Sequence, residues 1–137
     1  MTVKIAAEFN NAAILNRSKG FDEYFLKEKI ETTSVNITVE SLKSVNKISK
    51  KLNTILESNP KIKGVFVPSG KVGLISSLIN KKKLKIIGYD TTPLNLKYLN
   101  NNKITFLISQ KSFNQGYDSI IHMQDFLMNN VNPEIEY

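Results

Sequence analysis

Four side chains carry the chemistry that a small polar ligand would use: Arg17, Ser69, Asp90 and Gln110. Asp90 follows the apolar run Leu84–Tyr89. An aspartate that accepts from two adjacent hydroxyls is a strong, directional way to hold a sugar; capping a helix is the other use open to it. Arg17 is the one arginine among 19 basic residues, so it stands where lysine is this sequence's default. Its planar donor fork suits ligand oxygens, and a surface ion pair accounts for it equally well. Ser69, in Pro68-Ser69-Gly70, and Gln110 also follow apolar runs, Ile62–Val67 and Ile104–Ile108.

None of these groups forms a catalytic set. The single histidine, His122, falls in a helical stretch near the end of the chain, where a surface or packing role is expected. There is no cysteine, hence no disulfide, thiol nucleophile or thiolate metal site, and no other ligand cluster at metal spacing. Ser69-Gly70-Lys71 looks like part of a phosphate loop, but Val65 and Val72 stand where that loop needs glycine and a hydroxyl residue. No G-x-G-x-x-G follows an apolar run, so no dinucleotide is implied, and no other cofactor is expected. A phosphoacceptor role for Asp90 would need acidic partners after the first strand, where Asn10 and Asn11 stand instead. The expectation is a binding protein and not an enzyme.

Composition narrows the partners. The 19 basic against 12 acidic residues give a net charge of +7, but the excess is lysine scattered over helix faces. Groove readers and phosphate clamps favour the arginine fork, so nucleic-acid binding by this segment is not expected. Lys81-Lys82-Lys83 reads as a solvated loop. No apolar run approaches the ~20 residues needed to span a bilayer, and Met1 to Phe9 carries no signal-peptide pattern. A cytoplasmic location is the expectation.

The elements that must position these groups are legible in the periodicity. Five apolar runs recur about every 20 to 30 residues, the spacing of βα units: Val3–Phe9, Ser34–Thr38, Ile62–Val67, Leu84–Tyr89 and Ile104–Ile108. The third and fourth are nearly continuous in apolar residues, which predicts strands buried on both faces. Between them, Leu42, Val45, Ile48, Leu52, Ile55 and Leu56 make a helical stripe with Ser41 as its cap and Asn59-Pro60 as its stop. Ala12–Lys29, Val72–Ile79, a short helix opened by Pro93, and a last helix through Tyr117 and Met128 complete the alternation. An α/β fold follows: an open, mostly parallel five-stranded sheet with helices on both faces. Its functional surface lies at the carboxyl ends of the strands, which adds Phe9-Asn10-Asn11 and Thr91-Thr92 to the polar groups above. The tail Val131–Tyr137, ending on an apolar–polar alternation, reads as a strand that is cut off or pairs elsewhere.

Three segments in this order resemble the C-terminal lobe of the sugar-binding region in lactose-repressor-type (LacI family) transcriptional regulators and in the related type I periplasmic binding proteins. Asn16-Arg-Ser-Lys-Gly-Phe21 is similar to the family's arginine, two residues, glycine, aromatic motif. Ile86-Ile-Gly-Tyr-Asp90 is similar to its strand ending in glycine, aromatic, aspartate. The segment Phe106–Tyr117, with Gln110 and Gly116, resembles the entry to the last crossover. The resemblance covers nearly the whole chain. It implies one lobe of a two-lobed receptor, 1–137, with Arg17 and Asp90 on the ligand's hydroxyls and Gln110 at the crossover near the cleft. Ser69-Gly70 departs from the asparagine–aspartate pair that many members carry there. Phe9 and Tyr89 are the candidates for the aromatic that stacks on a sugar.

The resemblance further implies a fragment. It lacks the DNA-binding head and most of the first lobe, and its last helix, about 114–128, would pack on that missing lobe. Partners would be a sugar-like effector, DNA only through the missing head, no membrane, and a second copy in a homodimer when intact. An exported sugar-binding protein serving a transporter or sensor kinase is the alternative, and a flavodoxin-like enzyme is a more distant one.

Overall fold

The computed structural model describes residues 1–7, 11–37, 44–81 and 83–132. Phe9, Asn10, the Ser41 cap, Leu42, Lys82 and the tail from Pro133 lie outside the described residues. Five strands, β1 (Thr2–Ala7), β2 (Thr32–Ile37), β3 (Gly64–Val67), β4 (Lys85–Tyr89) and β5 (Phe106–Ile108), pair in the order β2-β1-β3-β4-β5, all parallel. Among the described residues five helices alternate with them: α1 (Ala12–Lys27), α2 (Val45–Ser58), α3 (Val72–Leu78), α4 (Pro93–Asn100) and α5 (Ser112–Asn129). The α/β alternation and the five-stranded parallel sheet expected from the periodicity are the observed ones.

The helices start and stop where local chemistry directs. The Asn11 side chain accepts from the N–H groups of Ala13 and Ile14 and opens α1. Thr92 caps α4 by accepting from the Asn95 N–H, with Pro93 at its first helical position, where a missing N–H costs nothing. α2 runs into Asn59-Pro60, whose proline admits no helical residue before it.

The two faces of the sheet are not equivalent. On one, Val3, Ile5, Val35, Val65, Val67 and Ile86 meet Ile48, Leu52 and Leu56 of α2 and Val72 and Ile75 of α3, all buried. Each such side chain, fully removed from water, contributes about 1.5–3 kcal/mol. The other face carries Lys4, Phe66, Ile87 and Tyr89 and is met by α1. There Phe21 stacks on Phe66, and the buried Lys4 ammonium pairs with Asp22. Burial therefore alternates along β3 and β4, and Ile87 remains 36% exposed. The expectation of strands buried on both faces is corrected: α1 alone does not cover what α2, α3 and, through Tyr98 and Leu99, α4 cover on the opposite side.

Close approach at β4 requires Gly88. A Cβ there would lie 2.4 Å from the Val72 side chain, so glycine lets α3 sit directly on the strand that ends in Asp90. Lys81 is not the solvated residue expected of it. Its ammonium donates to the carbonyls of Leu56, Pro60 and Ile62, within 3.3 Å, and so satisfies the carbonyl end of α2 and the turn after it. The last helix, α5, buries none of its residues, and Phe113, Leu127 and Met128 are exposed along it.

Candidate functional site

The carboxyl ends of β3, β4 and β5 bring Arg17, Asp90 and Gln110 together, although up to 93 residues separate them in the chain. Arg17 projects from the second turn of α1. One guanidinium nitrogen donates to the Pro68 carbonyl at 3.0 Å and another to Gln110 Oε1 at 2.6 Å. The Gln110 Nε2 donates in turn to Asp90 Oδ1. Only one orientation of this amide works, since the reverse would set its oxygen against the carboxylate and its NH2 against the guanidinium. Gln110 thus relays between a cation and an anion that make no direct ion pair with each other.

Two further contacts fix the arrangement. The Arg17 guanidinium carbon lies 4.0 Å from the centre of the Tyr89 ring, a cation–π stack that holds the fork flat over the end of β4. Tyr89 therefore presents one ring face to Arg17, and its edge geometry with Phe66 orients the rest. Asp90 itself has φ 68°, in the left-handed region, which costs a non-glycine residue about 1–3 kcal/mol unless its surroundings hold it. Its Oδ2 lies against Gly70, where a Cβ would come within 2.6 Å, and no donor reaches that oxygen among the described residues.

Ser69 is not part of this chain of contacts. It is buried, and its hydroxyl accepts from the Lys71 N–H within its own loop. Thr91 and Thr92 are exposed at the rim, with Thr92 engaged as a cap.

Sequence reasoning missed Asn95. It is 1% exposed in the first turn of α4. Its Nδ2 donates to the carbonyls of Gly70, Tyr89 and Asp90 at 3.1, 3.0 and 2.8 Å, and its Oδ1 accepts from the Gly73 N–H at 2.8 Å. The signal was present in Thr92-Pro93-Leu94-Asn95, a capped first turn whose third residue is an amide that can reach back.

Chemically, the cluster offers hydrogen-bond acceptors and donors at the strand ends: a carboxylate, an amide and a guanidinium. Among the described residues, no three His, Asp or Glu side chains gather as a metal site. No described helix is long and apolar enough to cross a membrane. At the opposite end of the sheet lies an open hollow of about 450 Å³, edged by Asn80, Lys81, Lys83, Asn101, Asn102 and Lys103. It has volume but no converging network of the kind seen at Asp90.

A family model described as the periplasmic binding protein domain matches residues 3–130. No curated protein matches the sequence. Among solved structures, one described as a LacI transcriptional regulator from Bacteroides fragilis is similar with a TM-score of 0.83 at 22% identity, over 97% of this chain and 48% of that one. The periplasmic sugar-binding protein of an ABC sugar transporter from Legionella pneumophila gives 0.74 at 13% identity, over 96% and 50%. GanP, a glucose-galactose binding protein from Geobacillus stearothermophilus, gives 0.70 at 24% identity, over 96% and 49%. The chain spans about half the length of each, and the likenesses are likenesses of fold.

Proposed function

This chain belongs to the periplasmic binding protein domain family, and from that premise we propose that it is one lobe of a two-lobed receptor for a sugar or similar polyol, without enzymatic activity. The observation that carries the reading is the Arg17–Gln110–Asp90 relay at the strand ends, with Asp90 Oδ2 left without a described donor. A vicinal diol can donate to that carboxylate while accepting from the guanidinium, and so replace the bridging amide with its own oxygens. The exposed apolar side chains of α5 suit a surface that a second lobe covers, which would close the site and exclude water from it.

The whole protein, in this reading, is a cytoplasmic LacI-type transcriptional regulator. It acts as a homodimer and reaches DNA through a head outside this chain, with no membrane association. Ligand closure would reorient the lobes with a coupling of about 1–3 kcal/mol. Support comes from the Asn16–Phe21, Ile86–Asp90 and Phe106–Tyr117 motifs and from the fold shared with the Bacteroides fragilis protein. The second reading is an exported sugar-binding protein, favoured by the shared fold of the two sugar-binding proteins above.

Calorimetric titration of the complete protein with D-ribose, D-glucose and D-galactose tests the ligand class. Asp90→Asn should weaken binding at least ten-fold, because asparagine keeps the left-handed backbone and loses the charge. Unchanged affinity in that variant would remove Asp90 from the site. Cell fractionation then separates the two settings: recovery from the cytoplasm with sugar-dependent DNA binding supports the regulator, and recovery outside it supports the exported protein.

A further inference from the structure

Below the Asp90 turn lies a buried amide, Asn95, 1% exposed. Asn95 donates to the carbonyls of Tyr89 and Asp90, the two residues flanking the peptide that turns the chain left-handed, and to Gly70 in the neighbouring loop. Its oxygen takes the Gly73 N–H at the start of α3. One side chain therefore ties two strand-end loops and two helix starts together. The space around it is closed: a Cβ on Gly73 would lie 2.5 Å from Asn95 Oδ1, and one on Gly70 would lie 2.6 Å from Asp90 Oδ2.

We propose that Asn95 is the positioning residue of the ligand site, setting the direction of the Asp90 carboxylate and its separation from the Pro68-Ser69-Gly70 loop. The physical reason lies in the backbone of Asp90. A left-handed aspartate can relax to an ordinary conformation unless its peptide is held from the outside. The Asp90 N–H is bonded to the Ile108 carbonyl, which fixes one side of the residue. Asn95 fixes the other through the Asp90 carbonyl and adds a second hold on the first through the Tyr89 carbonyl. Without it the carboxylate swings away from Gln110, the relay to Arg17 opens, and the Gly70 loop separates from β4.

This inference rests on the ligand-site reading of Asp90, and its test is built to fail separately from that reading. In the complete protein without ligand, the side-chain NH2 resonances of Gln110 and the carboxyl carbon of Asp90 report the contact between them by NMR. In Asn95→Ala both should move toward their solvent-exposed positions, while the methyl resonances of Ile48, Leu52 and Leu56 stay in place. A merely structural amide would do the reverse, shifting core methyls or lowering the melting temperature with the Gln110–Asp90 signals intact, and that result overturns the proposal. Asn95→Ser, which keeps a polar group in the same space, serves if the alanine variant does not fold. Failure of both to fold also overturns it, because the amide would then determine the fold and not the site.

The second arm uses the complete protein and D-glucose, D-galactose and D-ribose. Asn95→Ala should weaken the sugar that binds at least ten-fold, yet cost nothing further in an Asp90→Asn background, since it acts through that carboxylate. Additive losses overturn the positioning role. If none of the three sugars binds the unmodified protein, the sugar reading falls, and the NMR arm still decides Asn95.

Discussion

At the carboxyl ends of β3, β4 and β5, polar groups from α1, the β4–α4 turn and the β5–α5 turn converge and bind one another through side chains. At the amino ends of the same strands Lys61, Lys63, Lys83 and Lys85 are exposed, while Lys81 turns inward onto backbone carbonyls. The difference follows from the parallel fold. Each crossover helix runs against its strands, so helix amino termini gather at the site and carboxyl termini gather at the other end. The partial negative charge of those carboxyl termini favours lysine. Lys27 in the last turn of α1 and Lys97 in that of α4 are placed so. The hollow of about 450 Å³ at the amino ends has volume without converging side chains of the kind gathered at the carboxyl ends.

Four variants would break or sharpen this contrast. The largest effect is expected of Gly88→Ala, which drives a Cβ into the buried Val72 side chain beneath the site end. Loss of about 2–3 kcal/mol of stability in denaturant unfolding is expected; a stable variant would mean that α3 does not seat the end of β4. Next is Arg17→Lys, which keeps the charge but cannot bridge Pro68 and Gln110 while lying over Tyr89. Sugar affinity measured by calorimetry should fall about ten-fold, or ~1.4 kcal/mol, with the fold intact. At the other end, Lys81→Met removes the ammonium from the end of α2 and should lower stability by about 1 kcal/mol. Ligand affinity should not change; a loss of affinity would show that the two ends are coupled. Smallest is Lys83→Ala, expected within about 0.5 kcal/mol of the parent in thermal unfolding and without effect on ligand. A large effect there would make the hollow a functional site after all.

Much of this architecture can be read in the chain. The runs at Ile62–Val67 and Leu84–Tyr89, the stripe from Val45 to Leu56 and the proline at position 93 each announce an element through local periodicity or a fixed φ. Arg17, Asp90 and Gln110 were also legible, the first as a lone arginine and the others from their places after strands. Asn95 was not, because an asparagine in a first helical turn is an ordinary residue until its neighbours in space are known. Ser69 was legible as a strand-end hydroxyl, and the fold turned it inward to serve its own loop.

Amino-acid order alone determined which stretches are strands and helices and which strand ends carry polar groups, because the side-chain period of each element is a local property. Only the tertiary structure decided that one sheet face is closed by α2, α3 and α4 and the other only partly covered by α1. It alone also decided that Gln110 joins Arg17 to Asp90 and that Asn95 clasps the loops beneath them. Those contacts join residues 5 to 93 apart in the chain. A hydrogen bond tolerates only a few tenths of an ångström, so the long-range ones depend on strand order and register, which no local pattern encodes.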